Sequence, residues 1–218
     1  MRILVDSGDS EALRTALVSG FVAGATTNPT LLRRAGVRAA DVPTLARALL
    51  DAGAGELHLQ AYADTADGMV REGLAMAAID PARVVIKLVA TPAGYQAAAR
   101  LGTAGVRVTL TAVYTLRQAL LAASVGASYI AIYLGRMRDA GIDALAVAEQ
   151  MQRLLTAQSA RVAILAASIR SPDEVVELAM RGVAAATLAP TLLDQLLDSP
   201  ATATAAATFS ADAHALAS

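Results

Sequence analysis

The 218-residue chain balances 18 lysine and arginine residues against 19 aspartate and glutamate residues, a formal net charge of −1. No stretch gathers like charges, which argues against a nucleic-acid footprint. Cysteine is absent, excluding disulfides, thiolate catalysis and cysteine-ligated metals. His58 and His214 have no acidic or histidine partner at metal-ligand spacing, so neither metal nor other cofactor is expected. No uninterrupted apolar stretch of about 20 residues occurs and the start lacks a basic-then-apolar signal, so a soluble cytoplasmic protein without membrane contact is expected.

In chain order, the apolar and β-branched runs predict strands over Arg2–Asp6, Val22–Thr26, Glu56–Tyr62, Arg83–Val89, Val106–Leu110, Ser128–Tyr133, Val162–Ala166 and Ala184–Leu188. Between them, alanine- and leucine-rich periodic segments predict helices over Ser10–Ser19, Val42–Ala52, Thr65–Ala78, Pro92–Leu101, Thr115–Ser124, Leu145–Thr156 and Pro172–Met180. Strands separated by helix-length crossovers pair in parallel. Eight such units without a low-complexity linker predict an α/β chain whose residues 1–200 form a single-domain (β/α)8 barrel. A doubly wound open sheet is the rival, although the turn after Asp6 lacks G-x-G-x-x-G. The alanine-rich segment Ala201–Ala217 follows the eighth unit. Residues 201–218 are therefore expected to form an extra helical extension that packs on a neighbouring subunit.

Lys87 is the single lysine, set in the apolar run Val84-Val85-Ile86-Lys87-Leu88-Val89-Ala90; every other strongly basic residue is an arginine. Arginine keeps its charge and cannot act as a nucleophile. A desolvated lysine can present a neutral amine to a carbonyl. The bland alternative is a stem lying on apolar surface with its head in water. Its solitude within a strand favours a Schiff-base former.

In a barrel of this type, active sites gather at the carboxyl ends of the strands. Polar residues collect there: Asp6; Thr26, Thr27 and Asn28; Gln60; Lys87; Thr109 and Thr111; Tyr133; Ser168 and Arg170. Strand ends are where any chain turns polar, and Ser168 is a possible helix cap. That explains less well two charged residues, Asp6 and Lys87, at the interior ends of apolar strands, since buried charge needs a partner. His58 reads as a barrel-layer residue, Tyr62 and Tyr114 as packing groups, and Arg33 and Arg34 as a solvated helix face.

These residues resemble the transaldolase family of class I aldolases, in particular its small-subunit branch containing fructose-6-phosphate aldolase. The matching pieces are Asp6, Ala25-Thr26-Thr27-Asn28-Pro29-Thr30, Val85-Ile86-Lys87, Thr111-Ala112-Val113-Tyr114, Tyr133-Leu134-Gly135-Arg136 and Ala166-Ala167-Ser168-Ile169-Arg170. The resemblance implies a (β/α)8 barrel and metal-free Schiff-base chemistry at Lys87. It implies that Gln60, Thr111 and Tyr133 hold the catalytic water, with Tyr133 as acid/base, and that Asp6 orients or deprotonates hydroxyls near C4. Thr26 and Asn28 would hold the donor hydroxyls, while Arg136, Ser168 and Arg170 would clamp an acceptor phosphate. It also implies rings of five subunits, often paired into ten.

Within the family, transaldolases proper resemble one another in having glutamate where this chain has Gln60 and phenylalanine where it has Tyr133; the fructose-6-phosphate aldolase branch has glutamine and tyrosine. Leu134-Gly135-Arg136 looks more transaldolase-like, Ile132 departs from a proline common to both, and Thr109 replaces the usual transaldolase asparagine. The expected function is a metal-independent aldolase acting at the C3–C4 bond of a ketose phosphate such as fructose 6-phosphate. Its donor would be dihydroxyacetone and its acceptor an aldose phosphate. The alternatives are a transaldolase moving a dihydroxyacetone unit between sugar phosphates, and a catalytically silent barrel acting through oligomeric contacts.

Overall fold

A computed structural model of the protein describes residues 1–217. Eight parallel strands close on themselves in sequence order: β1 (Arg2–Asp6), β2 (Gly24–Thr26), β3 (Glu56–Gln60), β4 (Val84–Val89), β5 (Val108–Val113), β6 (Tyr129–Tyr133), β7 (Ala163–Ala167) and β8 (Ala185–Leu188), which returns to β1. Around them run α1 (Ser10–Val18), α2 (Pro29–Arg34), α3 (Val42–Asp51), α4 (Ala66–Ala77), α5 (Pro92–Thr103), α6 (Leu116–Ser124), α7 (Leu134–Asp139), α8 (Ala144–Ala157), α9 (Pro172–Met180), α10 (Pro190–Leu197) and α11 (Pro200–Leu216). The (β/α)8 barrel expected from the alternation is the observed fold.

Local chemistry sets the helix starts. Side-chain oxygens of Asp9, Asn28, Thr65, Thr91, Thr115, Asp143 and Ser171 accept backbone N–H groups in the first turn. Each satisfies a donor that the helix itself cannot. At Thr115 the arrangement is reciprocal, because Gln118 reaches back to the cap. Helices α2, α7 and α10 have no counterpart in the sequence expectation. They span 6, 6 and 8 residues, too short to show a helical period, and two of them begin at a proline just beyond a short turn that follows a strand.

Side-chain alternation divides each strand between two environments. One set, including Val5, Ile86, Leu88, Leu110, Ile130, Ile132 and Leu188, is buried against the helices in the main apolar core. The other set faces the barrel axis, where only a small apolar cluster of Leu4, Val85, Tyr129, Ala131, Leu165 and Ala185 forms. The rest of the interior is polar. β5 runs three residues beyond its expected end, through Ala112 at φ 57°, where its register against β6 shifts between Leu110 and Val113. A bulge of this kind re-aims neighbouring side chains, and no residue type in the run announces it.

At the amino-terminal end, the axis is closed by a charged cluster. Glu56 accepts from Arg2 at 2.5 Å and Arg107 at 2.6 Å. It also pairs with His58 Nε2 at 2.8 Å. The carboxylate has no proton to give, so His58 donates from Nε2 and its Nδ1 accepts from the Thr109 hydroxyl at 2.9 Å. His58 thus has an acidic partner two residues away, on the same strand face, used for hydrogen bonding. Burial pushes its imidazole below the ordinary value and holds it neutral. Burial alone would raise Glu56, but the His58 hydrogen bond and the charges of Arg2 and Arg107 outweigh that and hold it at about 2.

A depressed carboxyl stabilises the fold above its unfolded pKa and loses that contribution as pH falls toward the folded one. For Glu56 the window runs from 4.5 down to about 2. Arg2 and Arg107 are partly exposed, which screens the pair, so the contribution at neutral pH is about 2 kcal/mol. Glu56→Gln should lower stability by that amount in urea titrations at pH 7. The gap should shrink to roughly half or less at pH 3; a gap independent of pH would contradict the charge assignment.

Candidate active site

At the opposite end, where the strands deliver their carboxyl termini, a cavity of about 420 Å³ opens between the first, second, sixth and seventh βα connections. Its wall includes Asp6, Asn28, Gln60, Lys87, Tyr133, Arg136 and Ser168, seven of the ten residues singled out from sequence. Asp6, Gln60, Lys87 and Tyr133 come from four different strands, at positions of axis-facing parity.

Lys87 is only 4% exposed. Its Nζ donates to the Thr27 carbonyl at 2.9 Å, an anchor supplied by the turn after β2. Burial pushes its pKa below the usual lysine range, opposed by the Asp6 carboxylate. Asp6 moves the other way: burial raises its pKa, opposed by Lys87 and by the Thr26 hydroxyl. Each group therefore shifts toward its neutral form. Thr26 donates to Asp6 Oδ1 at 2.6 Å and lies 2.8 Å from the Thr187 hydroxyl. Its single proton is committed to Asp6, so Thr187 is the donor in the second contact.

Tyr133 is fixed similarly from behind. The Thr111 hydroxyl donates to its phenol oxygen at 3.1 Å, and Tyr114 packs edge-on against its ring at 6.1 Å. Burial raises the phenol pKa above its ordinary value, more than the Thr111 hydrogen bond lowers it. Tyr133 is thus protonated at neutral pH, and because it accepts from Thr111, its own proton is free for the cavity. Asn28 spends Oδ1 on the Leu31 N–H at 3.1 Å as the cap of α2, which leaves its amide hydrogens as donors. Thr26 and Thr111 are buried and do not line the cavity. Their geometry makes them positioning groups for Asp6 and Tyr133.

Arg170 is also absent from the cavity wall. Its guanidinium makes a two-pronged pair with Asp139 at 2.7 and 2.5 Å. Its backbone N–H is held by Glu174 at 2.9 Å, and buried Glu174 also pairs with Arg138. Ser168 sits at φ 59°, a backbone region sparsely used by residues other than glycine and often found at functional sites. Its carbonyl accepts from Gly135 N–H at 2.9 Å. A Cβ at Gly135 would lie 2.6 Å from both Ser168 oxygens and 2.9 Å from Arg170 Nε, so glycine there permits the β6 and β7 connections to meet. Glu174 carried no signal in the sequence, since its contacts are the Arg170 backbone just before its helix and Arg138 on α7. Arg34 carried one that was read only as a solvated helix face: it follows Thr30 by four residues and Leu31 by three, hence shares their face of α2. All three line the cavity.

A desolvated amine, a carboxyl able to take its proton and a protonated phenol, arranged on one barrel axis, define a site suited to iminium chemistry on a ketone. The comparisons agree with that class. The family model described as Transaldolase/Fructose-6-phosphate aldolase matches residues 3–218. The chain is 36% identical over 212 residues to a protein named "Probable transaldolase" from Moorella thermoacetica, covering 97% of each. It is 35% identical over 208 residues to one of the same name from Thermus thermophilus, covering 93% of each. The chain belongs to the transaldolase/fructose-6-phosphate aldolase family. A solved thiamine phosphate pyrophosphorylase from Pyrococcus furiosus superimposes with a TM-score of 0.59 at 17% identity, covering 86% of this chain and 85% of that one; this likeness concerns the barrel alone. No helix among the described residues is long and apolar enough to cross a membrane.

The Lys87–Asp6 pairing has a direct titration consequence. Reductive alkylation of Lys87 by a small ketone should rise with pH through a midpoint below the ordinary 10.5. Asp6 is the group that raises the Lys87 pKa, so Asp6→Asn should move that midpoint lower still. Peptide-resolved mass spectrometry reads both; an upward move in the variant would contradict the pairing.

Proposed function

We propose that the protein transfers a dihydroxyacetone unit between sugar phosphates, a transaldolase reaction passing through a Schiff base on Lys87. The observation that carries this reading is the buried Lys87 amine beside Asp6 at the carboxyl end of the barrel. In the neutral form, Lys87 Nζ adds to the C2 carbonyl of a ketose phosphate. Loss of the carbinolamine hydroxyl as water, with a proton from Tyr133, gives the iminium. The C3–C4 bond then breaks, its electron pair entering the iminium to form an enamine, while the C4 hydroxyl proton passes to Asp6. The aldose phosphate leaves. A second aldehyde takes the enamine in the reverse sense, and hydrolysis of the new iminium frees the product and Lys87. Gln60 and the Asn28 amide would bind hydroxyls or the water, with Arg136 and Ser168 toward the phosphate. The names borne by the relatives support transfer.

A second reading is the aldolase, in which the enamine is protonated and free dihydroxyacetone is released. The specific observation favouring it is the joint presence of Gln60 and Tyr133 in place of the glutamate and phenylalanine that transaldolases proper resemble one another in having. Both readings require the same adduct. Dihydroxyacetone with borohydride should add one reduced unit per chain, on the peptide holding Lys87, and Lys87→Arg should abolish adduct and turnover. An adduct confined to the amino terminus would overturn both. With fructose 6-phosphate, wild-type turnover that depends on an added aldose phosphate supports transfer. Release of free dihydroxyacetone without one supports the aldolase. Tyr133→Phe should slow the hydrolytic step by about 10²-fold or more.

We further propose that residues 1–200 are the catalytic barrel and that α11 mediates homo-oligomerisation. None of its residues is buried; Phe209 is 70% and Leu216 89% exposed. An alanine-rich helix of this length is marginal in water without a surface to pack on. Full-length protein should scatter light as an assembly larger than a dimer, and deletion after Pro200 should reduce its mass. A monomeric full-length chain would remove this assignment.

A further inference from the structure

The resemblance assigns the acceptor phosphate to Arg136, Arg170 and Ser168, yet the cations around the cavity are distributed otherwise. Arg170 has both guanidinium arms on Asp139, at 2.7 and 2.5 Å. Among the described residues Arg2, Arg38, Arg83, Arg100, Arg107, Arg138 and Arg181 likewise face carboxylates. Arg34 and Arg136 face the same cavity as Ser168 and Asn28, and neither takes part in an ion pair among the described residues. Two free forks and a hydroxyl on one wall match the three oxygens of a phosphate monoester, which guanidinium groups bind in a planar, two-pronged fashion.

We propose that Arg34 is a specificity-determining residue that binds the substrate phosphate together with Arg136, while Arg170 is held by Asp139. This rests on the Schiff-base reading above and adds to it which cation selects phosphorylated sugars. The negative end of α2 accounts for basic residues in its last turn, and Arg33 satisfies it equally. Arg33, however, points to a different groove, shared with Leu32, Gly36 and Val37. The helix end thus explains two arginines without explaining why Arg34 turns to the cavity. Arg34 also borders an adjacent hollow containing Ser7 and Asp9. The Asp9 carboxylate, already the cap of α1, repels an anion from that side. The phosphate is therefore directed toward Arg136 and Ser168.

The test compares glyceraldehyde 3-phosphate with glyceraldehyde as acceptors for dihydroxyacetone. Arg34→Gln should lower the ratio of their kcat/KM values by about 10- to 100-fold, the usual loss for a charge-assisted contact. The effect should lie mainly in KM for the phosphorylated aldehyde, and inorganic phosphate should inhibit more weakly. Arg34→Lys, a point charge without the fork, should fall between. Arg170→Gln should move the ratio less than Arg34→Gln does. An unchanged ratio in Arg34→Gln, in protein that still forms the reducible adduct on Lys87, overturns the proposal, as does a larger drop in Arg170→Gln. Should wild-type protein form no adduct, the Schiff-base reading fails instead. Calorimetric titration with inorganic phosphate then decides Arg34 alone, equal binding by wild type and Arg34→Gln overturning it and weaker binding by the variant supporting it.

Discussion

The desolvation of Lys87 is the constraint on which the site depends. An ammonium moved from water into a protein interior is costly unless paired, and the barrel answers with one carbonyl, Thr27, and one carboxyl, Asp6. Neither neutralises it fully. The lysine is pushed toward the free amine and Asp6 toward the free acid. A more generous set of partners would have stabilised the charged lysine and silenced it as a nucleophile. A position further from the axis would have left it an ordinary surface cation.

That constraint propagates to the rest of the barrel interior. An axis packed with branched apolar side chains, the common arrangement in this fold, would add desolvation without hydrogen-bond partners for Lys87, Asp6 and Tyr133. Here alanine and threonine occupy much of the axis, and the apolar cluster within it is small. The amino-terminal end is sealed by a charged cluster whose histidine stays neutral beneath the amine. The stability that the interior forgoes comes from the outer layer, where fully buried leucines and isoleucines pack the strands against the helices. Catalytic polarity and folding energy are thus separated by strand parity.

This separation also explains what could be read from the sequence. Strand parity and crossover length were enough for the eight-stranded barrel. A lone lysine within an apolar run marked the end of the barrel where the cavity opens, because a buried charge is conspicuous in sequence as well as in space. Asp6, Gln60 and Tyr133 followed from their places at strand ends. Contacts made by backbone conformation were not legible: the bulge at Ala112 and the left-handed Ser168 belong to residue types that give no hint of either. Nor was the pairing of Arg170 with Asp139, 31 residues away, or the role of buried Glu174, since surface arginines look alike until their carboxylates are located. Thr26, expected at the donor hydroxyls, and Thr111, expected at the catalytic water, donate hydrogen bonds to Asp6 and Tyr133, contacts that strand-end position alone does not reveal.

On the proposed reading, transfer and release share every step up to the enamine and differ in whether its carbon next meets an aldehyde or a proton. Hydrolysis of an iminium needs a water deprotonated as it adds. Gln60 cannot accept a proton, so that base is the phenolate that Tyr133 becomes on protonating the carbinolamine hydroxyl. Asp6 can accept, but it is the same group that must receive the C4 hydroxyl proton during cleavage. Until an acceptor aldehyde takes that proton on its carbonyl oxygen, or it exchanges with solvent, Asp6 cannot accept another. An enamine in such a site gives transfer when a second aldehyde reaches it before a proton does. The pairing of Gln60 with Tyr133 therefore does not by itself direct the reaction to release. With Asp6 the single carboxyl on the cavity wall among the described residues, its proton is the one that an incoming aldehyde takes up in transfer and that the enamine carbon can take up in release.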